Sequence, residues 1–169
     1  IHENFGRTAI PIQLPIGAER DFNGVVDLVS MKAYTYTAGG DGKGKEQEIP
    51  ASMADAARTA HEALIEMVAE GNDQLMEEYF DQGSLSPEHL LEGLKAAVKE
   101  RRIFPVLCAA ASLNIGTDRI LDFIVDYLPA PTERNAIKAK SGDEEVVRPV
   151  SESEPASAFV FKTIADPFA

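Results

Sequence analysis

The sequence is poor in the residues that make disulfides and metal sites. Its 169 residues include one cysteine and three histidines. A single cysteine excludes an internal disulfide framework, and without a second cysteine neither a zinc ribbon nor a CxxC redox centre can form. The histidines are His2, His61 and His89, which are far apart in sequence. They form no His-x-x-x-His or His/Cys pair, so we expect no metal site.

Basic residues are also scarce. Lysine and arginine total 16 against 28 aspartates and glutamates, which gives a formal net charge of −12. This deficit argues against a broad nucleic-acid or membrane surface, because phosphates and anionic lipids attract Lys and Arg. No apolar run approaches the roughly 18–20 residues of a membrane span, and no signal peptide is evident. We therefore expect a cytoplasmic protein that binds neither DNA nor membranes directly.

The first hundred residues contain two kinds of pattern. Residues 9–49 are rich in β-branched and aromatic residues with turn signals between them, which predicts a small, mostly antiparallel sheet. Residues 52–101 have helical periodicity and predict three helices. Ser52, Asn72 and Ser86 are the expected N-caps, Ser52 as part of a capping box with Asp55.

The remaining residues change character again. Residues 103–108 form a continuous apolar run, which predicts a strand buried on both faces. A loop over 109–116 leads to a helix that Thr117 and Asp118 should cap. Its inward residues are expected to be Ile120, Leu121, Ile124, Val125 and Leu128. Residues 130–155 indicate a linker, and 156–164 a final strand. The fold class predicted is α+β: a small antiparallel sheet with three helices beside an α/β strand–helix unit.

One glycine-rich segment imitates a phosphate-binding loop. Gly39, Gly44 and Lys45 have the spacing of that motif, but Glu46 follows where Ser or Thr is needed for magnesium. Both flanks also indicate strands, whereas a phosphate-binding loop lies between a buried strand and a helix. The segment is better interpreted as a hairpin tip.

The loop after Cys108 is the most informative candidate site. In α/β nucleotide-binding folds, ligands lie at the carboxyl ends of the parallel strands. Ala110, Ala111 and Ser112 follow the predicted buried strand and precede the helix. Small side chains there would let backbone N–H groups approach a planar base closely. By itself this spacing is also that of an ordinary packed turn, and Cys108 is interpreted as a small apolar residue rather than a nucleophile.

Three ordered segments of the chain resemble the bacterial elongation factor G family. Residues 104–108 read Phe-Pro-Val-Leu-Cys, and 121–131 contain Leu-Asp-x-Ile-Val-Asp-Tyr-Leu-Pro-x-Pro. Residues 12–17 with 24–33 are similar to the start of that family's insert subdomain. Residues 157–168 are similar to the first strand of its following β-barrel domain. The order and spacing of the matches hold from about residue 5 to residue 168.

The resemblance implies an internal piece of a larger GTPase. It assigns 1–102 to the insert subdomain, 103–129 to the last strand and helix of a P-loop GTPase domain, 130–155 to a linker and 156–169 to the barrel's first strand. The parent would bind GTP or GDP with Mg²⁺ and would use GTP hydrolysis to drive translocation of mRNA and tRNA on the ribosome. This chain lacks the P-loop, so we expect no activity or cofactor for it alone. Ala110, Ala111 and Ser112 would face the guanine base.

The match to the guanine loop also departs from the family pattern. Ala110 replaces a serine, and Leu113 and Ile115 replace two lysines. These changes suggest a divergent paralogue rather than the housekeeping factor.

The resemblance also implies a protein partner. The helix over 53–70 would bind the C-terminal domain of the ribosomal stalk protein through acidic residues, and the candidates are Asp55, Glu62, Glu66 and Glu70. An acidic helix face can steer a partner that presents lysines. Two alternatives stay open: an independent acidic helical interaction module, and a piece of a related ribosome-protection or release-type translational GTPase.

Overall fold

The fold is α+β. The computed structural model describes residues 2–37, 39–133 and 136–165, which divide into two compact units at the boundary between Leu128 and Pro129. The strands of the first unit are β1 (Ala9–Pro11), β2 (Gln13–Ile16), β3 (Gly24–Asp27), β4 (Lys32–Thr35), β5 (Lys45–Gln47) and β6 (Phe104–Val106). Its helices are α1 (His2–Phe5), α2 (Ala54–Ala69), α3 (Asp73–Gln82), α4 (Pro87–Lys99) and α5 (Thr117–Tyr127). No helix in the described ranges is both long and apolar enough to cross a membrane.

The antiparallel sheet has the order β2-β3-β4-β5, as the sequence predicts for most of residues 9–49. Strand β1 is the exception, because it pairs in parallel with β6 and its Ile10 lies opposite Pro105. The apolar run at 9–16 is thus two strands in two sheets. The backbone changes sheet at Ile12, whose N–H donates to the Val106 carbonyl over 2.9 Å.

The core lies between the antiparallel sheet and helices α2 and α4. Val26 and Ala33 from the sheet are fully buried, as are Leu64, Val68 and Leu94 from the helices. The partner of His61 is the Leu28 carbonyl oxygen, 2.6 Å from Nδ1, so this histidine ties α2 to the end of β3.

The helix ends agree with the sequence at two of the expected caps. Asn72 accepts hydrogen bonds from the N–H groups of Gln74 and Leu75, and Ser86 Oγ accepts one from His89 N–H. The capping box at Ser52 was wrong, because residues 51–53 form a 3₁₀ turn and no side chain caps α2. Gly116 precedes α5 without a side-chain cap, so Thr117 and Asp118 are its first residues rather than its caps.

Strand β6 and helix α5 are less buried than the sequence predicts. Phe104 is 53% exposed, because β1 is the one strand that pairs with β6 in the described residues. On α5, Leu121, Ile124, Val125 and Leu128 are exposed, and Phe123 is the buried residue. The helix is apolar on two sides, and the side that packs into this core carries Phe123 and Tyr127.

The second unit contains a hairpin where a linker is expected. Strands β7 (Ile137–Ser141) and β8 (Glu144–Arg148) pair in antiparallel fashion, with Gly142 at a φ of +64° in the turn. The strand expected over 156–164 is not formed, and these residues are exposed. Residues 166–169 of the predicted barrel strand lie outside the described residues. The four-part domain division and the assignment of 156–169 to a barrel stay predictions.

The contact between Glu78 and His89 makes stability depend on pH. Glu78 Oε1 accepts the Ser86 N–H over 2.8 Å, and its Oε2 pairs with His89 Nδ1. The Ser86 N–H and then His89 lower the pKa of Glu78 from 4.5, while Glu78 raises the pKa of His89 from 6.5. The contribution of His89 to the free energy of unfolding is complete below pH 6.5 and disappears as the pH rises through its raised pKa. The Glu78 contribution is complete above 4.5 and disappears as pH falls through its lowered pKa.

We therefore expect His89→Gln to destabilise the chain most between pH 4.5 and pH 6.5. Urea unfolding of both proteins at about pH 5.5 and about pH 8.5 measures the difference. The hydrogen bond from the Ser86 N–H to Glu78 does not need a charged histidine, so Glu78→Gln should still lower the stability at the higher pH. A stability difference for His89→Gln that is as large at high pH as at low pH would contradict the ion pair.

Candidate functional site

The loop over 109–116 lies at the carboxyl end of the parallel β1–β6 pair. After Val106 the chain leaves the sheet, and an antiparallel bridge between Ala110 and Ile115 closes the loop. Residues 111–113 form a 3₁₀ turn inside it. The structure thus places the loop where α/β folds bind their ligands.

The three predicted base-facing residues are not equivalent. The Ala110 N–H donates to the Ile115 carbonyl over 2.9 Å, and its own carbonyl accepts the N–H groups of Leu113 and Ile115. The backbone of Ala110 therefore closes the loop rather than facing a ligand. Ala111 and Ser112 lie together at the exposed rim. The residues that remain candidates for contact with a base are Ala111 and Ser112.

Two left-handed residues give the loop its shape. Asn114 has a φ of +52° and Gly116 a φ of +75°. A Cβ atom at Gly116 would lie 2.6 Å from the Cys108 carbonyl oxygen, so glycine is needed there for space as well as conformation. Between them Ile115 is 4% exposed and anchors the loop in the fold.

Gln13 holds the start of the loop and is not among the site residues predicted from the sequence. It is 3% exposed, and its side-chain Oε1 accepts the Cys108 N–H over 3.1 Å. Cys108 Sγ donates to the Gln13 carbonyl over 3.8 Å, and burial raises the pKa of this thiol. The thiol is therefore a weak donor within the fold rather than a thiolate nucleophile. A lone amide within the apolar run of residues 10–16 was the signal that could have identified Gln13.

Asp118 ties the other end of the loop to the β4–β5 hairpin. Its Oδ1 accepts the Tyr36 hydroxyl over 2.6 Å and its Oδ2 accepts the Gly44 N–H over 2.8 Å. Burial alone would raise the pKa of Asp118, but hydrogen bonds from Tyr36, Gly44 and the Arg119 N–H outweigh it and lower the pKa. Burial and then Asp118 raise the pKa of Tyr36. Asp118 is thus an ionised acceptor and Tyr36 a neutral donor at neutral pH.

Helix α2 presents the second candidate surface, which we call the acidic face: Asp55, Glu62, Glu66 and Glu70. All four side chains are exposed, opposite the buried Leu64 and Val68. The spacing of seven, four and four residues places them along one side of the helix.

The four acidic residues differ in their ion pairs. Asp55 pairs with Arg58 over 2.8 Å and Glu70 with Arg7 over 2.9 Å. Within residues 2–37, 39–133 and 136–165, Glu62 and Glu66 form no ion pair. Thr59 and Ala63 are exposed beside them, so the centre of the acidic face carries two exposed carboxylates next to small side chains.

Comparison with known proteins gives a structural relative. No family model matches the sequence. A crystal structure of a protein from Thermus thermophilus is similar to this chain, with a TM-score of 0.68 and 28% sequence identity. The similarity covers 79% of this chain and 20% of that one, so the chain spans about a fifth of the length of its relative. The likeness supports an α+β fold shared with a segment of a much longer protein.

Proposed function

We propose that this chain is the partner-binding insert and adjoining strand–helix unit of a translational GTPase of the elongation factor G class. Its part in that protein is to bind the C-terminal domain of the ribosomal stalk protein through α2. The observation that carries the proposal is the acidic face, whose central carboxylates Glu62 and Glu66 point to solvent without a described ion pair. A stalk domain presenting lysines would complement it.

The β1–β6 pair supports membership in a larger α/β domain. A parallel pair of two strands is too small to be stable by itself, and parallel sheets are normally covered on both faces. Phe104 and the apolar residues Leu121, Val125 and Leu128 are exposed here, as expected if further strands and helices of a parent domain cover them. The relative from Thermus thermophilus is itself much longer than the similar segment.

The nucleotide would contact this chain at the loop over 109–116. The exposed backbone at Ala111 and Ser112 suits a guanine edge, and a backbone donor does not depend on the side chain. The exposed Leu113 beside it offers no charge to a phosphate. GTP would supply the γ-phosphate bond that is hydrolysed, GDP would be the product, and the parent would have to hold the phosphates and Mg²⁺ with other residues.

The acidic face also supports a second function, that of an acidic helical module that binds a basic protein outside translation. The same carboxylates would serve it, so the two functions differ in the partner rather than in the surface. The identity of the basic partner therefore decides between them.

We expect the full chain to bind the stalk protein's C-terminal domain weakly. In an NMR titration of the ¹⁵N-labelled chain, amides of residues 55–66 should shift, and the shifts should shrink with added salt because exposed charges are screened beyond about 8–10 Å. Glu62→Lys with Glu66→Lys should weaken binding by about tenfold, since each exposed pair contributes about 0.2–1 kcal/mol and reversal adds repulsion.

The matched control is Glu152→Lys with Glu154→Lys, which changes the net charge equally at two exposed residues of the second unit. Binding should be unchanged by it. If both double variants weaken binding alike, net charge rather than the acidic face is responsible. If the stalk domain shifts no α2 amide while a different lysine-rich protein does, the second function is correct and the first is wrong.

A further inference from the structure

The glycine-rich segment that imitates a phosphate-binding loop contacts the loop over 109–116. A Cβ atom on Gly42 would lie 2.0 Å from Asn114 Nδ2, so the Asn114 amide rests directly on this glycine. A Cβ atom on Gly44 would lie 2.8 Å from the Tyr36 hydroxyl. Two of the glycines are therefore needed for close approach to neighbouring residues rather than for phosphate.

The contacts join residues that are far apart in sequence. Tyr36 and Asp118 are separated by 82 residues, and Gly44 and Asp118 by 74. Hydrogen bonds to an ionised acceptor are among the stronger ones in proteins. Both oxygens of the Asp118 carboxylate accept hydrogen bonds from the β4–β5 hairpin. The two bonds fix the orientation of the carboxylate as well as its distance from the hairpin.

The charged and titratable groups around Asp118 favour this arrangement. Arg119 lies with its Nε 3.6 Å from Asp118 Oδ2 and its guanidinium 4.5 Å above the Tyr34 ring. Its Nη2 is 2.5 Å from Asp122, so Arg119 is shared between two carboxylates. The Asp118 carboxylate therefore has a cation beside it and the Tyr36 hydroxyl and backbone donors in contact.

We propose that Tyr36, Gly42, Gly44, Asn114 and Asp118 form a hairpin–loop latch that positions the loop over 109–116. The latch fixes the loop at Asn114 and at the start of α5, while Gln13 fixes it at Cys108. Ala111 and Ser112 lie between these fixed points. The insert's sheet thereby sets the position of the exposed backbone that would contact a base.

The assignment of a base to this loop rests on the proposed function, whereas the latch does not. In the latch, Tyr36 and Asp118 are positioning residues: neither would touch the ligand. A partner that displaced the β4–β5 hairpin would thus move the loop.

Amide hydrogen exchange in the full chain, followed by NMR, tests the latch. Tyr36→Phe removes one hydroxyl group and should speed exchange at Gly44 and at Ile115 by about tenfold, the loss of one charge-assisted hydrogen bond. Gly42→Ala should speed exchange at Ile115, because the new methyl group displaces Asn114. The Gly83 amide, which donates to the Tyr79 carbonyl outside the latch, should stay within about twofold of the original chain, because its local opening leaves the latch closed.

Tyr34→Phe is the matched control. It removes the hydroxyl that donates to Glu46 over 3.4 Å, keeps the ring on which the Arg119 guanidinium lies, and should leave Ile115 exchange unchanged. If Tyr36→Phe frees Gly44 but not Ile115, the hairpin and loop are independent and the proposal is wrong. Equal acceleration of Ile115 and Gly83 would also overturn it, because the hydroxyl would then act on global stability alone. Stalk-domain titration of the same samples reports the proposed function separately, through the α2 amides.

Discussion

Replacing Leu64 by alanine is expected to lower the free energy of unfolding by about 3–4 kcal/mol. Leu64 lies on the inner side of α2 and is fully buried against the sheet and α4. The substitution removes a buried isobutyl group and leaves a cavity that rigid neighbours on both sides cannot close. Urea unfolding followed by circular dichroism measures the change.

Glu62→Ala provides the control on the same helix. Glu62 is exposed, and its truncation should change stability by about 0.5 kcal/mol or less. The two variants separate the two sides of α2: Leu64→Ala should weaken the fold, whereas Glu62→Ala should leave the fold intact and, under the proposed function, weaken partner binding. A cost below about 1 kcal/mol for Leu64→Ala would mean that α2 is not part of the central core.

The elements that could be predicted are those specified by nearby residues. The cap at Asn72 and the Ser-Pro start of α4 are local signals, since side chain and backbone partners lie within three residues. The antiparallel order of β2 to β5 follows from short connections between consecutive strands. For these elements the sequence contains almost all the information needed.

The elements that were missed depend on distant partners. The pairing of Ala9 with Phe104 joins residues about 95 positions apart, and no local pattern distinguishes β1 from a strand of the antiparallel sheet. Helix α5 has apolar residues on two sides, and periodicity alone does not say that the Phe123 side is the buried one. The hairpin over 137–148 had a local signal, the Ser-Gly-Asp turn at 141–143, which its many charges obscured.

The candidate site shows the same division. The position of the loop after β6 could be predicted, because a strand–loop–helix order places it at the carboxyl end of the strand. The two residues that hold the loop in place could not be predicted. Gln13 and Tyr36 reach the loop region across 95 and 82 residues, and neither residue type marks a site by itself. Their importance depends on burial and on hydrogen bonds that only the folded chain forms.

Replacing Gln13 by alanine is expected to cost about 2–3 kcal/mol. The substitution removes the acceptor of the partly buried Cys108 N–H and leaves a cavity where the Gln13 side chain, which is 3% exposed, now packs. The effect should be greatest at the start of the loop, so Cys108 should react faster with a neutral thiol reagent. Its thiol would lose the covering that now raises its pKa.

Gln47→Ala is the matched control, because Gln47 is an exposed glutamine on the edge strand β5. It should change neither stability nor the reactivity of Cys108 by more than the error of measurement. Unfolding in urea gives the stability, and the rate of thiol modification below the unfolding transition gives the local effect. If Gln13→Ala lowers stability but leaves the Cys108 rate unchanged, Gln13 contributes to the core in general and does not hold the loop.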